Sequence, residues 1–147
     1  WRMPEKTRED FTPDHYFITG DVGTIDAEGR VSIVGRAKDL IISGGFNVYP
    51  KEVEEALDAL PGVGESAVIG VPHADFGEGV VAVVTAGGPL QTEAEIIMAL
   101  SRGLANFKVP KRVFELAELP RNAMGKVQKA ELRKRFAATF TPTDRTL

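Results

Sequence analysis

Three short stretches of this chain hold residue types that bind or polarise an oxygen-rich ligand. Thr19-Gly20-Asp21 offers a carboxylate whose two acceptor oxygens can receive both hydroxyls of a ribose diol. The same aspartate would serve equally as a turn or capping residue. Gly35-Arg36 through Gly44-Gly45 sets a planar guanidinium fork, suited to phosphate or ribose oxygens, ahead of paired glycines that let a backbone approach a ligand closely. A simple loop is the competing reading of that stretch. Pro120-Arg121-Asn122-Ala123-Met124-Gly125-Lys126 ends on an ammonium that, taken alone, reads as a solvated surface lysine. Each stretch is weak singly; their order and spacing give them weight together.

Other arrangements fail on their own chemistry. Gly62, Gly64 and Ala67 match the spacing of a dinucleotide fingerprint, as do Gly77, Gly79 and Ala82. Both sets lead into a strand, whereas pyrophosphate binding needs a helix N-terminus at that place. Gly125-Lys126-Val127 lacks the Ser or Thr and the upstream glycine of a phosphate-binding loop. His73 and Asp75 have no accompanying nucleophile. His15 and His73 are far apart, with no further His and no Cys, so no metal site is expected.

The elements that must position these residues follow from hydrophobic period and turn chemistry. Tyr16-Phe17-Ile18 is a short apolar run, and Ile25 and Val31-Ser32-Ile33-Val34 flank Asp26-Ala27-Glu28-Gly29, a hairpin turn in which Gly29 takes positive φ. Two or three such strands carry too few apolar residues for a core and are expected to pack on a further, amino-terminal part. After the apolar Leu40-Ile41-Ile42, Ser43-Gly44-Gly45 reads as a turn or flexible loop. Pro50 opens a helix with Val53, Ala56, Leu57 and Leu60 on one stripe, and Pro61-Gly62 closes it. Ser66 to Val71, Val80 to Thr85 and Val113 to Leu116 have strand composition. Thr92 and Glu95 form a capping box for a helix with Ile96, Ile97, Leu100 and Leu104 inward, ending by Pro110. A basic amphipathic helix lies near Gln128 to Phe136, and Thr139 to Leu147 is expected to be loose. Alternating helices and strands from Pro50 onward predict a small α/β or α+β sandwich of about 100 residues.

Composition narrows the partners. With 43% hydrophobic and 27% charged residues among 147, the chain is that of a soluble globular protein. A formal net charge of −3 gives no global pull toward nucleic acid, and no apolar run approaches a membrane span. The absence of cysteine excludes disulfides and fits a cytoplasmic location.

Taken in order, TGD, GRAKDLIISGGFNVYPKEVE and LPRNAMGKVQK resemble the final motifs of the acyl-adenylate-forming (AMP-binding) superfamily, from the first residues to about Phe136. SGGFNVYPKEVE resembles the acyl-CoA synthetase branch, and GVPHADFGEGVVAVV with LPRNAMGKVQK is similar to malonyl-CoA synthetases. The resemblance implies an α+β fold: a small C-terminal lid with a mixed β-sheet flanked by helices over residues 38–138, after a β-rich end of a large N-terminal domain in residues 1–37, with residues 139–147 a flexible tail. It implies ATP, Mg²⁺ and coenzyme A as substrates and companions, the large N-terminal domain as partner, a carboxylic acid (malonate) as co-substrate, and a lysine acetyltransferase acting on the chain. Lys126 matches the catalytic lysine, Asp21 the residue on the AMP ribose, Arg36 an arginine near the nucleotide, and Lys38 the hinge. Ser43, Gly44 and Gly45 match the loop lining the pantetheine channel, and Phe76, Phe107 and Lys111 lie where related ligases contact the CoA nucleotide. Core packing is the alternative for the two phenylalanines. A free-standing interaction module, a broader fatty acyl-CoA synthetase and a luciferase-like oxygenase are the alternative functions, and the chain on its own is expected to be inactive.

Overall fold

The computed structural model describes residues 2–141, which fall into two compact units that part between Lys38 and Asp39. In the first unit, helix α1 (Pro4–Glu9) precedes the antiparallel hairpin of β1 (Asp21–Ile25) and β2 (Val31–Arg36). The expected turn is present: Asp26 Oδ1 accepts the Glu28 and Arg30 amides at 3.0 and 2.9 Å, and Gly29 has φ of 80°. Helix α1 departs from the β-rich expectation. Its proline in the first turn lacks the N–H a helix would leave unpaired there anyway, but no apolar stripe announces it and none of its residues is buried. Tyr16-Phe17-Ile18 forms no named strand; only an isolated bridge joins Phe11 to Phe17. No described residue of this unit is buried, and Tyr16, Phe17, Ile25, Val31 and Ile33 all expose more than half of their surface.

The second unit is built on a five-stranded sheet in the order β4-β3-β6-β5, with β7 also paired to β6. Its strands are β3 (Ile41–Ser43), β4 (Phe46–Val48), β5 (Val63–His73), β6 (Gly77–Ala86) and β7 (Arg112–Glu115). Central β6 has β5 antiparallel along one edge; along the other it meets β3 at Gly77 and then β7, in parallel, from Val81 to Val84. That single parallel pair makes the sheet mixed, and α3 supplies the crossover it requires.

Helices cover both faces. On one, Val80, Ala82 and Val84 of β6 meet Val53 and Leu57 of α2 (Pro50–Asp58) and Ile96 and Leu100 of α3 (Glu93–Ser101). On the other, Val81 and Val83 meet Leu132 of α4 (Lys129–Arg135) together with Leu119. A strand buried on both sides must be apolar throughout, which is why VVAVV runs without alternation.

The Thr92–Glu95 capping box is complete, Thr92 Oγ1 accepting the Glu95 amide while Glu95 accepts the Thr92 amide at 2.9 Å. The helix it opens ends at Ser101, earlier than Pro110 suggested. Leu104 still reaches the core, by a turn, and a 3₁₀ turn (Asn106–Lys108) fills the interval. The packed part of the chain extends to Phe140, which lies against the second core cluster; residues 142–147 of the expected tail lie outside the described residues.

Side chains meet the outer edge of β5 near its middle. Glu54 Oε1 accepts the Val68 amide at 2.7 Å and the Lys129 ammonium at 2.7 Å, and Ser66 donates to Asp58 at 2.6 Å.

Candidate functional site

The first unit brings Asp21 and Arg36 together. They are register partners across the hairpin, and Arg36 Nε lies 2.8 Å from Asp21 Oδ1 while its Nη1 donates to the Thr19 carbonyl at 2.8 Å. The pairing engages Oδ1 of the carboxylate, whose side chain remains about a quarter exposed. A diol bound here would therefore meet a carboxylate already oriented by a guanidinium. Lys38 sits in the 3₁₀ turn Ala37–Asp39, exposed, and makes no ion pair among the described residues.

In the second unit the expected glycine loop is a two-residue hairpin turn. Ser43 and Phe46 pair across it, and Gly44 and Gly45 carry φ of 58° and 83°, the signs a type I′ turn demands at both central positions. Ser43 is the last residue of β3 and only 3% exposed, so it is part of the sheet rather than of a flexible loop. The sequence pointed to two glycines here without showing that they join strands.

The three expected CoA contacts gather around this turn. Gly44 donates its amide to the Phe76 carbonyl at 2.9 Å, and a Cβ on Gly44 would lie 3.2 Å from the Phe76 ring. Lys111 Nζ stands 4.1 Å from the centroid of that ring, a cation–π arrangement. Phe107 stacks on Phe46 with centroids 4.7 Å apart. Phe46 was missed by sequence reasoning, although its position beside the glycines could have drawn attention to it. Phe107 is partly core, packed against the first cluster, whereas Phe76 is 39% exposed. His73, with Phe76 at 4.6 Å and Phe140 at 4.8 Å, accepts the Asp75 amide on Nδ1. It is a packing residue in this setting.

Lys126 lies in a closed hairpin loop. An isolated bridge joins Arg121 to Val127, the Asn122 amide donates to the Lys126 carbonyl at 2.9 Å, and Gly125 turns the chain with φ of 77°. Asn122 Oδ1 accepts the amides of Met124 and Lys126, both at 3.0 Å. The Lys126 backbone is thus fixed while its side chain is exposed, with no partner for its ammonium among the described residues. A lone pinned cation of this kind meets an incoming anion without first breaking a bond of its own. Asn122 carried a signal in the sequence, since asparagine habitually accepts backbone amides two residues on; Glu65, which pairs with Arg121 from 56 residues away, carried none.

Among the described residues no cluster of three His, Cys, Asp or Glu could hold a metal ion, and no helix is long and apolar enough to cross a membrane.

Comparison with known proteins gives these features a setting. Residues 52–126 match the family described as AMP-binding enzyme C-terminal domain. The long-chain-fatty-acid–CoA ligase of Mycobacterium tuberculosis is 45% identical over 139 residues, 95% of this chain and 27% of that protein. A feruloyl-CoA synthase of Amycolatopsis is 46% identical over 137 residues, 92% of this chain and 28% of that protein. Among solved structures, the ATP-bound MatB of Rhodopseudomonas palustris superposes with a TM-score of 0.86 and 58% identity, covering 95% of this chain and 28% of that one. The chain thus spans about a quarter of the length of the relatives it matches.

Proposed function

We propose, since this chain belongs to the family of AMP-binding enzyme C-terminal domains, that it is the lid of an ATP-dependent acid–thiol ligase that makes acyl-CoA through an acyl-adenylate. The carboxylate of the acid attacks the α-phosphorus of ATP, the bond to the β,γ-phosphates breaks, and pyrophosphate leaves. The thiol of coenzyme A then attacks the acyl carbon of the mixed anhydride, loses its proton and displaces AMP. The observation that carries this reading is Lys126, an unpaired ammonium on a loop whose backbone is held at both ends. It stabilises the negative charge that builds between carboxylate and α-phosphate. Asp21, braced by Arg36, takes the ribose hydroxyls. The turn at Gly44-Gly45, with Phe76, Lys111 and the Phe46–Phe107 stack around it, supplies a bare backbone for pantetheine and a cation and aromatic faces for the CoA nucleotide. The two steps need different groups beside the same bound nucleotide, an ammonium at the α-phosphate and then a thiol at the acyl carbon, so Lys38 is assigned as the hinge about which the lid turns between them. Mg²⁺ would accompany the nucleotide and would offset the charge of its phosphates.

Malonate is the acid we assign. The likeness to MatB, a malonyl-CoA synthetase, supports it; the acid pocket itself belongs to the large N-terminal domain with which this chain would work. Replacing Lys126 by Ala in the full-length enzyme is expected to slow acyl-adenylate formation by about 100-fold or more, the scale of losing one oxyanion-stabilising group. Thioester formation from preformed malonyl-adenylate should continue at the parent rate. Equal loss in both half-reactions would remove Lys126 from its role, and faster turnover of longer or aromatic acids than of malonate would remove the malonate assignment alone.

A further inference from the structure

The peptide bond that joins Gly125 to Lys126 is gripped from both sides. Its N–H donates to Asn122 Oδ1 at 3.0 Å, and its carbonyl accepts Arg121 Nη1 at 2.6 Å. Arg121 is in turn held by Glu65, whose Oε1 accepts Nη2.

Glu65 is not placed there by regular sheet geometry. The pairing of β5 with β6 is interrupted by a bulge between Val63 and Ser66, which frees Gly64 and Glu65 from the ladder. Bulges re-aim the side chains they carry. This one is fixed from inside the fold, because Thr85, a hydroxyl residue only 8% exposed, accepts the Glu65 amide at 3.0 Å. Gly64 permits the approach: a Cβ there would come within 3.0 Å of Thr85 Oγ1 and 3.1 Å of the Gly87 amide. A continuous path of contacts therefore runs from the buried hydroxyl of Thr85, through the Glu65 main chain and carboxylate and the Arg121 fork, to the peptide that carries Lys126.

We infer that Glu65 is a positioning residue for Lys126, acting through Arg121. The inference rests on the catalytic reading of Lys126 given above. A guanidinium that held only the Gly125 carbonyl would keep freedom about its long side chain; a carboxylate on the second arm of the fork removes it. The side chains of Arg121 and Glu65 are 39% and 55% exposed, so their pairing adds little to the stability of the fold. Its consequence is the placement of the lysine.

The test uses the full-length enzyme with Glu65→Gln, Glu65→Ala and Glu65→Lys, following single-turnover acyl-adenylate formation, thioester formation from preformed acyl-adenylate, KM for ATP and Tm. Adenylate formation should slow about fivefold in Glu65→Ala, the upper range for an exposed pair. The loss should be smaller in Glu65→Gln, which keeps an acceptor, and larger in Glu65→Lys, which repels Arg121. Thioester formation and KM for ATP should stay at the parent values, with Tm within about 3 °C. The gap between parent and Glu65→Ala should also narrow at high salt, where exposed charges are screened. Equal slowing of both half-reactions, or an unimpaired Glu65→Lys, would overturn the inference. Lys126→Ala run in parallel separates the two readings. Selective loss of adenylation in Lys126→Ala beside normal Glu65 variants overturns only the role of Glu65; no selective loss in Lys126→Ala overturns the parent reading.

Discussion

Placing a methyl group on the glycine turn separates crowding of a thiol channel from strain in a backbone. Gly44 and Gly45 both have positive φ, 58° and 83°, so an alanine at either position costs about 1 kcal/mol in backbone strain. The surroundings differ. A Cβ on Gly44 would stand 3.2 Å from the Phe76 ring, whereas one on Gly45 would have nothing within 4 Å. In the free chain the Gly45 methyl therefore costs strain alone, equivalent to a Tm lower by roughly 4–8 °C for a unit of this size. In the thioester step the same methyl would project where the pantetheine arm is proposed to pass. One unwanted methyl in a close contact costs about 1–3 kcal/mol, or roughly a 5- to 150-fold slower reaction with CoA. Stopped-flow measurement of the two half-reactions in full-length Gly45→Ala should show that loss in thioester formation only, with adenylation within about twofold of the parent. Gly45→Asn is the decisive comparison. Asparagine tolerates the left-handed conformation better than alanine but is larger. Crowding predicts that it is the slower of the two with CoA and the more stable to heat. A Gly45→Asn enzyme that recovered thioester formation relative to Gly45→Ala would refute the channel assignment.

Two further outcomes are expected of the fold. Gly62 has φ of 86°, and a Cβ there would meet the Pro89 carbonyl oxygen at 2.1 Å; Gly62→Ala should therefore cost about 3 kcal/mol or more in strain and overpacking, read as a Tm lower by roughly 12 °C or more. The Glu93 carboxylate accepts the Val113 amide at 2.8 Å and Arg112 Nε at 2.9 Å. Burial pushes its pKa up, but these partners outweigh burial and hold it below the ordinary 4.5. The unfolded chain then takes up the proton first as pH falls, so this stabilisation is complete above 4.5 and is lost as pH drops through the folded value. Urea titrations of Glu93→Gln below that pH should show a shallower acid loss than the parent; identical slopes would contradict the assignment.

Much of the second unit was legible because its signals are local. Val53, Ala56 and Leu57 mark a helix by period, and Thr92 with Glu95 marks a cap within one turn. The doubly buried run of β6 could be read as a strand from its length and β-branched content. What escaped depends on partners distant in sequence or on elements too short to show a period. Strand β4 has three residues, and helix α1 buries nothing, so neither leaves a pattern. Among the candidate residues, Lys126, Asp21 and Arg36 could be named because each sits in a recognisable motif. That Asp21 and Arg36 face each other follows from hairpin register, which Gly29 only hints at. The link from Glu65 to Arg121 depends on a bulge, and a bulge leaves no mark in the alternation of apolar residues.

The capped amide on the outer edge of β5 has a consequence for a body that leaves and rejoins a larger partner in every turnover, as the proposed cycle requires. A bare outer strand would be offered to any other chain passing by, and repeated exposure would turn a rare mispairing into steady loss of soluble enzyme. With the Val68 amide already taken by Glu54 and that carboxylate in turn held by Lys129, the middle of the strand has one donor fewer to offer an intruder.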